Sequence, residues 1–253
     1  MSYFFFDLET TGADPTSAHI VQIAYLLCDD LLEPISKGCH LLNPGALIEP
    51  GASRVHGITN EAVKNEPYFK QYAQTFHHLM SNTVWVGYNN LRFDNIIIRN
   101  EFDVCGLQKP PCAGTIDCFK IFTYYEGKSK KRGTRTLSAA HKFYCTYEYD
   151  NAHDALADVI ATWNVYRHQL DYYHITLKEA LKICRKNDYA IDQRGFFRFD
   201  HTTKKPIVAM GKYSGTPLNK VPANYLRWIT SSNFDADTKK VAEDALAGFY
   251  PIY

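Results

Sequence analysis

The run Phe4-Phe5-Phe6 is continuously apolar, the pattern of a central strand covered on both faces. Asp7 and Glu9 interrupt it before Thr10, Thr11 and Gly12 make a turn. Two residues apart on a strand, these carboxylates point to the same side. Ile20 to Cys28 is a second apolar run and Gly38 to Leu42 a third, closed by Asn43, Pro44 and Gly45. Short links between the three predict an antiparallel meander. Pro44 to Gly57 reads as loop. Thr59 is placed to cap a short helix ending at Asn65, and Pro67 stands in the first turn of a longer one. Phe69, Tyr72, Ala73, Phe76 and Leu79 recur there at helical spacing.

Further on, Thr83 to Tyr88 predicts a fourth strand and Asn89 to Asp94 a turn. Asn95 to Phe102 predicts a helix ending near Gly106, and Thr115 to Asp117 a short fifth strand. Helices follow over Phe119 to Tyr124 and, capped by Thr136, through Leu137, Ala140 and Phe143. Between them a basic loop, Lys128 to Arg135, reads either as a steering surface for a polyanion or as a solvated charge run. Asn151 to Leu170 is the strongest helical pattern, with Leu156, Val159, Ile160, Trp163 and Tyr166 on one stripe. Strands first, then strand–helix alternation, predict an α/β fold: a mixed sheet flanked by helices.

The texture changes near Asp171, which divides the chain into a domain over 1–172 and a small α+β appendage over 173–253. In the appendage Ile175 to Lys186 reads as helix, and Gly195 to Phe199 with Pro206 to Met210 as a hairpin. A loop over Gly211 to Leu218 leads to a helix entered at Val221, and Asp235 caps a last helix through Leu246.

Composition narrows the possibilities. With 28 Lys and Arg against 27 Asp and Glu the chain has no global basic field, so any nucleic-acid contact must come from local patches. Its 7 Cys are scattered without a Cys-x-x-Cys pair, which indicates neither a disulfide framework nor a structural zinc site. A reducing, cytoplasmic setting fits. The chain enters a strand at once, without a basic leader, and no apolar run is long enough to span a membrane. The oligomeric state, a homodimer included, is left open.

Candidate chemistry gathers around Asp7 and Glu9. Two carboxylates aimed together at the end of a core strand repel each other unless a cation sits between them. Asp94 follows a strand at the entry to a helix, and His153 and Asp158 sit near the start of the long helix. Four carboxylates at such positions can hold two hard cations, Mg²⁺ or Mn²⁺, through oxygen ligands. Two such ions can assist phosphodiester cleavage, and His153 can take a proton near neutral pH. Each residue also has a plain reading. Asp94 then serves the helix dipole, His153 lies at the surface or caps the helix, and Asp7 and Glu9 merely end a strand.

Phe6-Asp7-Leu8-Glu9-Thr10-Thr11-Gly12, then Asn90-x-x-Phe93-Asp94, then His153-x-x-x-x-Asp158 resemble the three motifs of the DEDDh family of 3′–5′ exonucleases. His56-Gly57-Ile58-Thr59 resembles a further family segment. The resemblance covers about Tyr3 to Leu170 and is closest to exonuclease X and exonuclease I. One departure is Asn89-Asn90 where many members have His-Asn.

The resemblance implies a ribonuclease-H-like five-stranded mixed sheet. It implies that Asp7, Glu9, Asp94 and Asp158 bind two metal ions and that His153 is the general base. It also implies that Thr10, Thr11, His56, Asn90 and Phe93 hold terminal nucleotides. The expected activity is release of nucleoside 5′-monophosphates from 3′ ends, with DNA, single-stranded 3′ ends in particular, favoured over RNA. The alternative is a non-catalytic nucleic-acid-binding module on the same fold. Gly211-Lys212-Tyr213-Ser214-Gly215 and Val221-Pro222-x-x-Tyr225-Leu226-x-Trp228 resemble the tail of exonuclease X. That segment reads either as a phosphate grip with a stacking aromatic or as a module whose aromatics simply pack.

Overall fold

The computed structural model describes residues 1–126, 135–145, 154–184, 190–192, 195–200 and 202–252. The described chain divides into two compact units, Met1–Cys184 and Arg185–Tyr253.

In the first unit five strands form one sheet in the order β3-β2-β1-β4-β5. They are β1 (Tyr3–Thr10), β2 (Ile20–Cys28), β3 (Pro34–Leu41), β4 (Val84–Gly87) and β5 (Gly114–Asp117). The meander β1-β2-β3 is antiparallel, whereas β4 runs parallel to β1 and β5 parallel to β4. This is the expected mixed sheet. Among the described residues, eight helices accompany it: α1 (Pro50–His56), α2 (Asn60–Val63), α3 (Phe69–Met80), α4 (Asp94–Val104), α5 (Cys118–Glu126), α6 (Leu137–Cys145), α7 (Ala155–Tyr173) and α8 (Leu177–Cys184).

Central β1 explains the apolar triplet. Its alternate residues enter two cores, one on each face of the sheet. Tyr3 and Phe5 pack with Val165 and Tyr166 of α7, and the Phe5 and Tyr166 rings lie 6.0 Å apart. Phe4, Phe6 and Leu8 join Phe76 and Met80 of α3, Trp85 of β4, and Ile97 and Phe102 of α4. The Trp85 indole meets the Phe6 ring edge-on at 6.1 Å. Its Nε1–H donates to the Met80 carbonyl at 3.0 Å, so the buried ring leaves no orphaned donor.

Several boundaries differ from the sequence expectation. The loop expected over residues 44–57 contains α1, which buries no side chain and so shows no apolar period. Pro50 at its start and Gly57 at φ 75° in its C-cap are the signals that mark it. Pro67 lies ahead of α3 rather than in its first turn, and Tyr68 is the N-cap, its N–H donating to Gln71 Oε1 at 2.8 Å. Strand β3 starts earlier than Gly38, at Pro34. Helix α7 starts at Ala155, where the Asp154 carboxylate accepts from the Ala157 N–H at 3.0 Å, rather than at Asn151. Asn151 to His153 lie outside the described residues, as does most of the basic loop, residues 127–134.

The first unit also continues past residue 172. Helix α8 belongs to it, because Ala180 and Cys184 are buried and the Asp117 N–H meets Cys184 Sγ at 3.2 Å. A Cβ on Gly114 would come within 2.5 Å of Leu181, so β5 and α8 need glycine there to approach.

The described residues of the second unit contain the expected hairpin, β6 (Phe197–Phe199) antiparallel to β7 (Pro206–Val208), and the helices α9 (Ala223–Ser231) and α10 (Ala236–Leu246). Phe197, Val208, Leu218, Leu226, Ile229 and Ala242 make its core. Buried Asp192 ties the unit together. Its carboxylate accepts from the Phe197 N–H at 2.7 Å and from the Thr238 hydroxyl at 2.5 Å.

Phe4 is fully buried and stacks on Tyr25 with ring centroids 5.5 Å apart. Phe4→Ala is expected to lower the unfolding free energy by about 3–5 kcal/mol in urea denaturation. A loss below about 1 kcal/mol would contradict the two-sided burial of β1.

Candidate active site

The parallel ladder between β1 and β4 ends at Phe5 and Val86, so Asp7, Leu8 and Glu9 run beyond it with only β2 alongside. Asp94, the first residue of α4, lies where that ladder would continue. It is 5% exposed, and its Oδ1 accepts from the Leu8 N–H at 3.1 Å. Asp7 and Glu9 share the odd face of β1 with Tyr3 and Phe5, the face covered by α7. Asp158 lies in the first turn of that helix. Alternation along β1 and the start of α4 thus bring carboxylates from three elements to the carboxyl ends of parallel strands, where α/β sheets bind ligands.

The electrostatics report their proximity. Desolvation, then the charges of Asp94, Glu9 and Asp158, hold the Asp7 carboxyl well above the usual carboxylate range. Desolvation, then Asp158, Asp94 and Asp154, push Glu9 up to about 7. Asp94 also rises to about 7, mainly through burial, although backbone N–H groups including that of Leu8 oppose the shift. Asp7, Glu9 and Asp94 therefore stand beside Asp158 with too little solvation to ionise together.

Among the described residues no three His, Cys, Asp or Glu side chains form a ready-made chelate. The cluster is a set of mutually repelling oxygen donors, not a closed coordination sphere. Its chemistry fits a hard divalent cation such as Mg²⁺ or Mn²⁺, whose charge would reverse the repulsion.

The turn carrying Asn90 to Asp94 is anchored from β5. Buried Asp117 accepts from the N–H groups of Asn89 at 2.8 Å, Phe119 at 3.0 Å and Lys120 at 3.4 Å. Asn89 takes a left-handed φ of 64°, and Asn90 to Arg92 form a 3₁₀ turn. Asn90 is fully buried, with neither side-chain oxygen nor nitrogen partnered. A Cβ on Gly87 would lie 2.6 Å from Asn90 Cβ, so that close approach requires glycine. Phe93 is the N-cap residue of α4 and packs partly buried against the core holding Phe6.

On the other side of β1 the Thr10 hydroxyl donates to the Gly12 carbonyl at 2.8 Å. The Thr11 hydroxyl accepts from the His19 N–H at 3.0 Å. His56 braces this turn. Its Nδ1 accepts from the Ile58 N–H at 3.1 Å, which leaves Nε2–H to donate to the Thr10 carbonyl at 3.2 Å. Desolvation lowers the His56 pKa, with the Thr10 bond opposing it. A Cβ on Gly12 would meet the Glu49 carboxylate at 2.5 Å.

The structure thus gathers Asp7, Glu9, Asp94 and Asp158 and sets Thr10, Thr11 and His56 in the adjoining turn. His153 lies outside the described residues. Sequence reasoning missed Asp117. An Asp ending a strand one residue before a helix is the available signal, since that position suits a cap.

A family model described as Exonuclease matches residues 4–166. The chain belongs to this exonuclease family. Protein NEN4 of Arabidopsis thaliana is 33% identical over 129 residues, 49% of this chain. The match spans about half, 51%, of that protein. The structure of exonuclease X in complex with 5′ overhanging duplex DNA superposes with a TM-score of 0.56, at 20% identity over 72% of this chain and 98% of that one. The complex of E. coli exonuclease I with single-stranded DNA gives a TM-score of 0.65, at 21% identity over 93% of this chain and 60% of that one. At these identities the two structures show the shared fold.

The carboxyls predict a pH response of the metal-free protein. Unfolded carboxylates titrate near 4, whereas Glu9 and Asp94 titrate near 7 when folded. The folded chain binds more protons than the unfolded chain in that window, so stability falls as pH rises from about 4 through about 7. In EDTA at pH 8, Asp7→Asn is expected to raise Tm by about 2–4 °C relative to the parent. An unchanged or lower Tm at pH 8 would count against a repelling cluster.

Proposed function

We propose that the protein is a metal-dependent 3′–5′ exonuclease that releases nucleoside 5′-monophosphates, acting on DNA, on single-stranded 3′ ends in particular, in preference to RNA. The observation that carries this reading is the crowding of Asp7, Glu9, Asp94 and Asp158 in a chain of the exonuclease family. The choice of DNA rests on the motif resemblance to exonuclease X and exonuclease I, whose solved structures hold DNA.

In this mechanism Asp7, Glu9, Asp94 and Asp158 would hold two divalent ions, Mg²⁺ or Mn²⁺. When bound, such ions supply Lewis acidity toward the scissile phosphate and its leaving oxygen. His153 would take the proton of the attacking water at an imidazole nitrogen. The water oxygen forms the new bond to phosphorus, and the bond to the penultimate 3′-oxygen breaks. That oxygen takes a proton from solvent to become the shortened chain's hydroxyl, and His153 returns its own proton to solvent before the next cycle. Thr10, Thr11, Asn90 and Phe93 would orient the terminal nucleotide, with His56 fixing the Thr10 carbonyl. Asn90 offers a buried, unpartnered amide for this role, and a buried amide without partners is costly unless something pairs with it. The scattered free thiols suit a reducing cytoplasm.

Matched 3′- and 5′-labelled oligonucleotides of DNA and RNA, single- and double-stranded, with Mg²⁺, Mn²⁺ or EDTA, test the reading. Mononucleotide release from 3′ ends, abolished by EDTA, is expected. Asp7→Ala should remove turnover while leaving the fold intact, and His153→Ala should slow it by about 10²–10⁴-fold. No release from any substrate by folded, metal-supplied protein would overturn the proposal in favour of a binding module.

A further inference from the structure

The near-neutral chain conceals a charge asymmetry. Residues 1–184 carry 17 Lys and Arg against 20 Asp and Glu, whereas residues 185–253 carry 11 against 7. Within the second unit, residues 202–234 contain five Lys and Arg and no Asp or Glu at all. An isolated cationic run has an ordinary explanation as a solvated surface. Here it coincides with an ordered aromatic array.

Trp228 on α9 is 50% exposed, although a ring of this size gains from burial. Its position is set by neighbours. Tyr225, three residues earlier on the same helix, stacks on it with centroids 5.3 Å apart and planes at 27°. Phe234 meets it edge-on at 5.4 Å. Tyr213 abuts Tyr225 edge-on at 4.6 Å, and Lys212 Nζ lies 5.6 Å from the Tyr213 ring centroid. The Tyr225 hydroxyl accepts from the Lys212 backbone N–H. Gly211, at φ 81°, allows that approach, since a Cβ there would sit 2.9 Å from the Tyr225 oxygen. The Gly-Lys turn and the exposed indole are therefore built on one tyrosine. Lys212, Lys220 and Arg227 are all exposed beside this framework in the chain.

We infer that the second unit carries a binding site for single-stranded nucleic acid, in which a base stacks on Trp228 and backbone phosphates meet Lys212, Lys220 and Arg227. A fixed, half-exposed indole offers a π-face that any base can use, and the cations follow the backbone. A single strand is specified because duplex pairing hides the base faces. Charge complementarity decides the occupant, since 33 residues without a carboxylate disfavour a basic or neutral protein partner. The inference rests on the reading of this protein as one that handles nucleic acid, but its site lies in a different unit from the carboxylates.

The test uses the full chain. Anisotropy of fluorescein-labelled dT20 is measured in EDTA, which prevents cleavage, between 50 and 200 mM salt. Hydrolysis of the p-nitrophenyl ester of thymidine 5′-monophosphate with Mn²⁺, a substrate of one nucleotide, is measured alongside. Trp228→Ala should weaken dT20 binding about tenfold, whereas Trp228→Phe should retain most of it. The triple variant Lys212→Gln, Lys220→Gln, Arg227→Gln should flatten the log–log salt slope by about 2. Ester hydrolysis should stay within twofold of the parent in all three. Variants that fold by circular dichroism yet bind dT20 within twofold of the parent would overturn the site, as would a parent that binds no dT20. If Trp228→Ala fails to fold, the charge variant decides, because it leaves the aromatic packing in place. A parent that binds dT20 but hydrolyses neither the ester nor an oligonucleotide would sink the exonuclease reading and leave this site standing.

Discussion

Mutual repulsion among Asp7, Glu9, Asp94 and Asp158 is the constraint that the rest of the first unit serves. These carboxyls would not gather spontaneously, because Asp94, Glu9 and Asp158 raise the proton affinity of Asp7, and Asp158 and Asp94 raise that of Glu9. They are held by structure whose stability comes from elsewhere. The triplet Phe4-Phe5-Phe6 is buried on both faces of the sheet immediately before Asp7. Apolar burial is non-directional and strong, so it can fix a strand whose next residues are electrostatically unfavourable. A strained cluster on a rigid strand is the expected signature of a functional site.

The surrounding turns extend the same logic from position to orientation. Asp117 gathers backbone N–H groups from two segments and thereby sets the turn that leads to Asp94. Gly87 lets Asn90 lie against β4, and His56 fixes the carbonyl of Thr10. These contacts tie the ends of β1, β4 and β5 together. They leave the Asn90 amide unsatisfied at the place where the proposed substrate would end.

The order of strands and most helices was legible because each has an apolar period, and the same-side placement of Asp7 and Glu9 follows from a period of two. Where no side chain is buried, as in α1, that signal vanishes, and only Pro50 and Gly57 mark the element. The end of the first unit was misplaced because α8 resembles the appendage in texture, while its attachment depends on a long-range contact between Cys184 and Asp117. Asp117 itself was opaque for the same reason. Its partner Asn89 is 28 residues away in the chain, and no local pattern encodes that pairing. The aromatic tail was readable as residues, but only the structure separates Trp228, half in solvent, from Leu226 and Ile229, which are buried.

Divalent-ion binding is the most direct test of the central claim that the carboxylates form a cation site. Mn²⁺ titrated into metal-free protein, followed by electron paramagnetic resonance of the free ion, would count the sites and compare the parent with Asp7→Asn. The account predicts saturable binding of two ions by the parent and a marked loss in the variant. Absence of saturable binding, or the same stoichiometry and affinity in Asp7→Asn, would contradict it.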